Sequence, residues 1–162
     1  MNTILTRLDQ SCYADGMKKL ALLVLFAIFV VFPLAAEDAE FYFNRGVEYH
    51  NRDELDLAIE DYTTAIDLNP GYADAWNRRG NACCELGEWD LAIADYSKAI
   101  TIDPCFAIYR YNLGIAYREK GEIDRAIEEL NEAIVLDPDY SAAWNMRGVS
   151  SMLSLMNIPV SS

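Results

Sequence analysis

Basic side chains are scarce in this chain of 162 residues, where 13 Lys and Arg stand against 26 Asp and Glu and leave a formal net charge of −13. A nucleic-acid binder neutralises backbone phosphates with clustered Lys and Arg, so this balance argues against such a partner. It argues equally against docking on anionic lipid, and favours neutral or basic partners. Histidine occurs once, at His50. The cysteines are Cys12, Cys83, Cys84 and Cys105, and none forms the Cys-x-x-Cys spacing of a redox pair. Adjacent Cys83 and Cys84 point about 100° apart on a helix, and Cys105 lies beyond the far end of that segment, so no disulfide is expected. No phosphate loop, metalloprotease helix motif, nucleophile elbow or dinucleotide fingerprint is present. No catalytic residue, metal or cofactor is expected. A metal at His50 would have to recruit Cys84 and Glu85, short of the usual set of convergent ligands. The acid pairs Asp53-Glu54 and Glu128-Glu129 read as solvated charge.

What the chain does have is a leader and a repeat. Met17-Lys18-Lys19 precedes an apolar run from Leu20 to Phe32, followed by Pro33-Leu34-Ala35-Ala36 and then by Glu37-Asp38. Positive start, short apolar core, small residues and acidic continuation are the layout of a secretory signal over residues 1–36. The run spans about 20 Å at the helical rise, short of a bilayer core of roughly 30 Å. Cleavage after Ala36 is the first expectation, and an uncleaved membrane anchor through residues 20–36 the alternative. Translation starts at Met1 or Met17. Export places the chain in the periplasm or outside the cell; the anchor would hold it at the membrane.

Beyond the leader, glycines recur every 34 residues at Gly46, Gly80, Gly114 and Gly148, and Pro70, Pro104 and Pro138 keep the same step. The pattern predicts helices at 38–51, 55–68, 73–86, 89–102, 107–120, 123–136 and 141–155. In the central unit, Trp76, Gly80 and Cys83 share one helical face, and Ala92, Tyr96 and Ala99 share another. Gly87 suits the turn between them. Gly80 is expected to face Ala92 and Ala99, with Trp76 and Tyr96 filling the space above and below. Asp103-Pro104 ends the second helix, because the residue before proline leaves the helical region. One such pair cannot bury its apolar face alone; stacked pairs can.

Trp76, Arg79, Gly80, Cys83, Ala92, Tyr96, Ala99 and Pro104 resemble the tetratricopeptide repeat pattern, as do Tyr42, Arg45, Gly46, Tyr49, Ala58, Tyr62, Ala65 and Pro70 in the unit before. The next unit keeps Leu113, Gly114, Tyr117, Ala126, Leu130, Ala133 and Pro138, while Arg replaces the usual Leu at Arg45, Arg79 and Arg147. The resemblance implies an all-α superhelix, an α-solenoid of antiparallel pairs. Its units are 39–72, 73–106 and 107–140, then a partial fourth unit or cap at 141–156 and a tail at 157–162. It also implies a concave groove lined by the first helix of each unit, with candidate peptide-binding residues Phe43, Val47, Asn77, Asn81, Tyr111, Ile115, Arg118 and Asn145. Asn77, Asn81 and Asn145 would meet an extended backbone, and Phe43 and Tyr111 would be flat apolar anchors. Glu40, Asp74, Glu85 and Glu119 make the groove acidic. Phe43 stands where the family's acidic-terminus clamp has its first Lys. His50 and Cys84, one step apart, should be neighbours there, with His50 solvated.

The expected role is a non-catalytic adaptor or scaffold, exported and binding a protein or peptide segment. The last stretch carries Met152, Leu153, Leu155 and Met156, which cannot all face the preceding pair. It is a modest cap, or a contact surface for a second copy or partner, or the chain is a shortened version of a longer array. The alternative role follows from it: a self-associating envelope protein or a membrane-anchored assembly subunit.

Overall fold

The computed structural model describes residues 38–156, which form helices throughout with no strand among them. The leader and tail readings, with Cys12, lie outside the described residues. In chain order the helices are α1 (Ala39–Asn51), α2 (Leu55–Leu68), α3 (Ala73–Glu85), α4 (Trp89–Ile102), α5 (Ala107–Glu119), α6 (Ile123–Leu136) and α7 (Ser141–Met156). The expected boundaries hold to within a residue at each end. None of these helices is long and apolar enough to cross a membrane.

Asp38 starts the array as an N-cap, its Oδ1 accepting from the Phe41 amide at 2.9 Å, which satisfies a donor the first turn leaves open. Each pair then turns on a left-handed residue at one phase of the repeat: Asp53 (φ 63°), Gly87 (φ 77°) and Gly121 (φ 87°). Behind it the amides of Glu54, Glu88 and Glu122 return to the carbonyls of Tyr49, Cys83 and Tyr117 at 3.0, 2.8 and 2.8 Å, closing the helix end. Second helices stop at Asn69, Asp103 and Asp137. Their side-chain oxygens accept from the amides of Gly71, Cys105 and Asp139 at 3.1, 3.3 and 3.1 Å, in the Asx turn these residue types favour. Trp76 and Trp144 tie the next unit down by donating Nε1 to the carbonyls of Pro70 and Pro138 at 3.0 and 2.9 Å.

The close approach inside each pair differs from the expectation. A Cβ on Gly80 would lie 2.8 Å from the Tyr96 ring, so Tyr96 itself seats on Gly80 rather than filling space above or below it. Gly46 seats Tyr62 in the same way, and Gly114 seats Leu130. Ala58, Ala65, Ala92 and Ala99 are fully buried beside these seats. Each seat joins residues 16 apart in sequence.

The same offset carries a second link. Arg45 forks onto Asp61 with both bonds at 2.6 Å, and Arg79 onto Asp95 with both at 2.8 Å. Arg79 also donates to Thr63 Oγ1 at 3.0 Å and lies 4.9 Å from the centre of the Trp76 ring. Two of the arginines that replace the family's leucine, Arg45 and Arg79, therefore come with a buried carboxylate on the partner helix, while Arg147 donates to the Asn131 side-chain oxygen at 3.3 Å. In the third unit Leu113 restores the apolar residue, and Glu129 takes its cation from Arg110 at 2.8 Å instead. Glu129 is thus ion-paired and only partly exposed, which corrects its reading as a solvated charge.

The array is a solenoid in which each helix packs on its sequence neighbour and each first helix also meets the next first helix. α7 continues that order. Met152, Leu155 and Met156 are exposed on it, and nothing lies within 4 Å of a Cβ placed on Gly148.

Candidate functional site

Helix α3 divides its residues between two faces. Trp76, Arg79 and Cys83 face α2 and α4, while Asn77, Asn81 and Cys84 share the opposite stripe. That second stripe lies between α1 and α5. Asn112 on α5 donates Nδ2 to the Oδ1 atoms of Asn77 and Asn81 at 2.9 and 3.2 Å, and Tyr96 donates its hydroxyl to the same Asn81 oxygen at 2.7 Å. Tyr109 donates to Asp74 at 2.7 Å, a second link between α5 and α3. On the other side His50 Nε2 pairs with Glu85 Oε1 at 2.9 Å.

These bonds frame an open cavity of about 300 Å³. His50 enters it from α1, Arg78, Asn81, Cys84 and Glu85 from α3, and Asn112 and Ile115 from α5. His50 and Cys84 line it together, as expected. His50 is only partly solvated, however: its side chain is 16% exposed. Its Nδ1 is buried without a hydrogen-bond partner among the described residues. Arg78 is exposed and makes no ion pair among them. The cavity therefore offers a guanidinium and an amide as donors beside one carboxylate. Groups of this kind recognise the carbonyl and amide edges of an extended chain.

Of the residues picked out from sequence, Asn81 and Ile115 line this cavity. Asn77 is buried behind it, engaged by Asn112. Phe43 is half-buried against Tyr72 and Tyr62, with ring centres 4.8 and 5.9 Å away, and Tyr111 packs on Tyr140 at 5.0 Å. Val47 is half-buried. Arg118 is tied to Glu119 and to the Met146 sulfur. Asn145 is exposed farther along α7. Sequence reasoning missed Arg78, Asn112 and the Tyr96 hydroxyl. Asn44, Arg78 and Asn112 fall one position after the expected inward residue of each unit, and that recurrence was the available signal.

Comparing units explains one buried orphan. Tyr62 matches Tyr96 and is fully buried, yet its hydroxyl has no partner among the described residues. The acceptor Asn81 corresponds to Val47, which has none to offer. Burial pushes the Tyr62 phenol up to about 12. Tyr96→Phe should therefore cost about 1–1.5 kcal/mol through its lost bond. Tyr62→Phe should be neutral or stabilising within about 1 kcal/mol, since it removes an unsatisfied group. Chemical denaturation of the two variants side by side checks the difference.

Cys83, Cys84 and Cys105 are all free. Burial pushes Cys83 up to about 11 and raises Cys84 as well. No group of three or more His, Cys, Asp or Glu among the described residues is arranged to hold a metal ion.

Comparison with known proteins places this geometry. A TPR repeat model matches residues 80–118 and 114–150, and two tetratricopeptide repeat models match 39–72 and 61–94. An uncharacterised protein of Methanocaldococcus jannaschii is 43% identical over 49 residues, a stretch covering 30% of this chain and 57% of that protein. The chain thus spans a little over half the length of that relative. Among solved structures, the TPR2B domain of yeast Sti1 in its pHsp70 complex aligns at TM-score 0.68 with 27% identity, over 70% of this chain and 96% of that one. MamA aligns at 0.71 with 26% identity, over 79% and 75%. The first TPR of Spaghetti (RPAP3), bound to the HSP90 peptide SRMEEVD, aligns at 0.72 with 20% identity, over 74% and 95%.

Proposed function

We propose, on the premise that residues 39–150 of this chain are tetratricopeptide repeats, that it is a non-catalytic protein-interaction module. It takes an extended peptide or protein segment along the groove of α1, α3 and α5. The observation that carries this reading is the cross-helix bond of Asn112 to Asn77 and Asn81. That bond fixes the asparagine oxygens and holds the cavity open beside the unpaired Arg78. Peptide complexes among the structural relatives support it. The burial of Cys83 and Cys84, which raises both thiols, and the engaged His50 Nε2 support a role without chemistry at this helix, since a cysteine nucleophile needs its thiolate.

The net charge favours neutral or basic segments as partners. The leader pattern at 17–36 supports an exported adaptor or scaffold, periplasmic or secreted, with membrane anchoring as the alternative if the segment stays. A second reading rests on the exposed Met152, Leu155 and Met156 of α7, a surface through which copies could associate. Sedimentation of the full chain at high concentration separates the two, since a monomer removes the second.

The direct test is selection of binders from a random peptide library on the full chain, followed by affinity measurement with Arg78→Ala and Asn81→Ala combined. The expected result is a loss of tenfold or more. Selected peptides whose affinity is unchanged would contradict the groove.

A further inference from the structure

The other face of α3 holds a larger cavity, about 510 Å³, open between α2 and α4 and away from the groove. Its origin can be read by comparing units. Cys83 stands where the flanking units place Tyr49 and Tyr117. Over each of those rings lies a guanidinium: Arg52 at 5.8 Å from the Tyr49 centre, Arg125 at 4.0 Å from that of Tyr117. The central unit has Leu86 and Leu91 at the places of Arg52 and Arg125. It therefore lacks both the ring and the cation that its neighbours supply from within. What it keeps is the carboxylate. Glu122 pairs with Arg125 at 2.6 Å, whereas Glu88, its counterpart one repeat earlier, lines the cavity and makes no ion pair among the described residues.

We propose that this cavity is a binding site for a small aromatic amine, its ring lying over Cys83 and its cation meeting Glu88. Ile59, Trp76, Cys83 and Leu91 give the slot apolar walls. The volume falls within the range of small-molecule sites, which combine such walls with few polar groups. Arg79, Asp95 and Thr63 also border it but are satisfied by one another, so they do not compete for the ligand. Lys98 lines the opposite end, ten residues and about 15 Å of helix from Glu88. The two charges set the ligand's direction. The neutral thiol leaves Cys83 as floor rather than reactant.

The test is an NMR titration of the full chain with tyramine and, separately, with 3-(4-hydroxyphenyl)propionate, which carries the same ring on a carboxylate. Tyramine should shift the amides of Ile59, Cys83 and Leu91 and bind at least fivefold more tightly than the acid. Glu88→Gln should remove that preference. Cys83→Tyr restores the residue of the flanking units and should abolish binding; if it fails to fold, Leu91→Arg at the exposed rim closes the cavity and serves instead. Equal affinity for the two probes, absence of shifts at these amides at millimolar tyramine, or undiminished binding to the filled variant would each overturn the proposal.

Discussion

Arg79→Leu should destabilise the chain by about 3–5 kcal/mol, the cost of leaving a buried carboxylate without its cation. Asp95 is 4% exposed and receives both arms of the guanidinium, so the truncation strands a largely buried charge. The double variant Arg79→Leu with Asp95→Leu should recover most of that loss, because a well-packed apolar pair often matches a buried ion pair. Leu113 shows that the array accepts leucine at this place once the acid is provided for. Arg45→Leu should cost less than Arg79→Leu, since the Arg45 side chain is 40% exposed against 19%, and exposed charge is screened. Denaturant midpoints for the two singles and the double give the coupling directly. Strictly additive effects would mean that the pair is incidental.

Gly80→Ala and Gly148→Ala should move stability in opposite directions. At Gly80 the added Cβ meets the Tyr96 ring at 2.8 Å. The ring is buried and its hydroxyl is held by Asn81, so it has nowhere to turn. Overpacking of this kind costs about 1–3 kcal/mol, more than the helix-propensity gain of up to about 1 kcal/mol. At Gly148 no atom lies within 4 Å, so the gain stands alone and stability should rise by up to about 1 kcal/mol. The same Gly80→Ala change should weaken peptide binding, since displacing Tyr96 loosens Asn81 in the groove. Thermal melts of both variants check the signs. A loss at Gly148 comparable to that at Gly80 would contradict the account of the seats.

The helices were legible almost to the residue because each boundary has a local cause: a left-handed turn at Gly87 and Gly121, an Asx turn before Pro104. Spacing also told which face of α3 holds Trp76 and Cys83. It did not tell which side chain crosses the pair. Gly80 was matched to alanines from size alone, while the ring that seats on it comes from Tyr96. The signal for both internal links was the interval of 16, shared by Gly46 and Tyr62, Gly80 and Tyr96, Arg45 and Asp61, Arg79 and Asp95. Loss of the arginine at Leu113, with Arg110 appearing beside it, confirms that the carboxylate side must be balanced.

The groove was legible as a surface and less so as a set of contacts. Phe43 and Tyr111, expected as flat apolar anchors, each pack on a ring from a connection between pairs, Tyr72 and Tyr140. Asn112 escaped notice because its value lies in two bonds to another unit, a pairing invisible to periodicity within one helix. The solitary histidine pairs with Glu85, a residue of the following unit. For Asn112 and His50 the missing information was contact between units; for Phe43 and Tyr111 it was contact with the connection that closes their own unit.

The central claim is that α1, α3 and α5 present the binding surface. Mapping amide shifts of the full chain on titration with a library-selected peptide tests it most directly. The account predicts that the shifts gather at His50, Arg78, Asn81, Asn112 and Ile115. Shifts gathered instead on α2, α4 and α6, or on Met152, Leu155 and Met156 of α7, would contradict it.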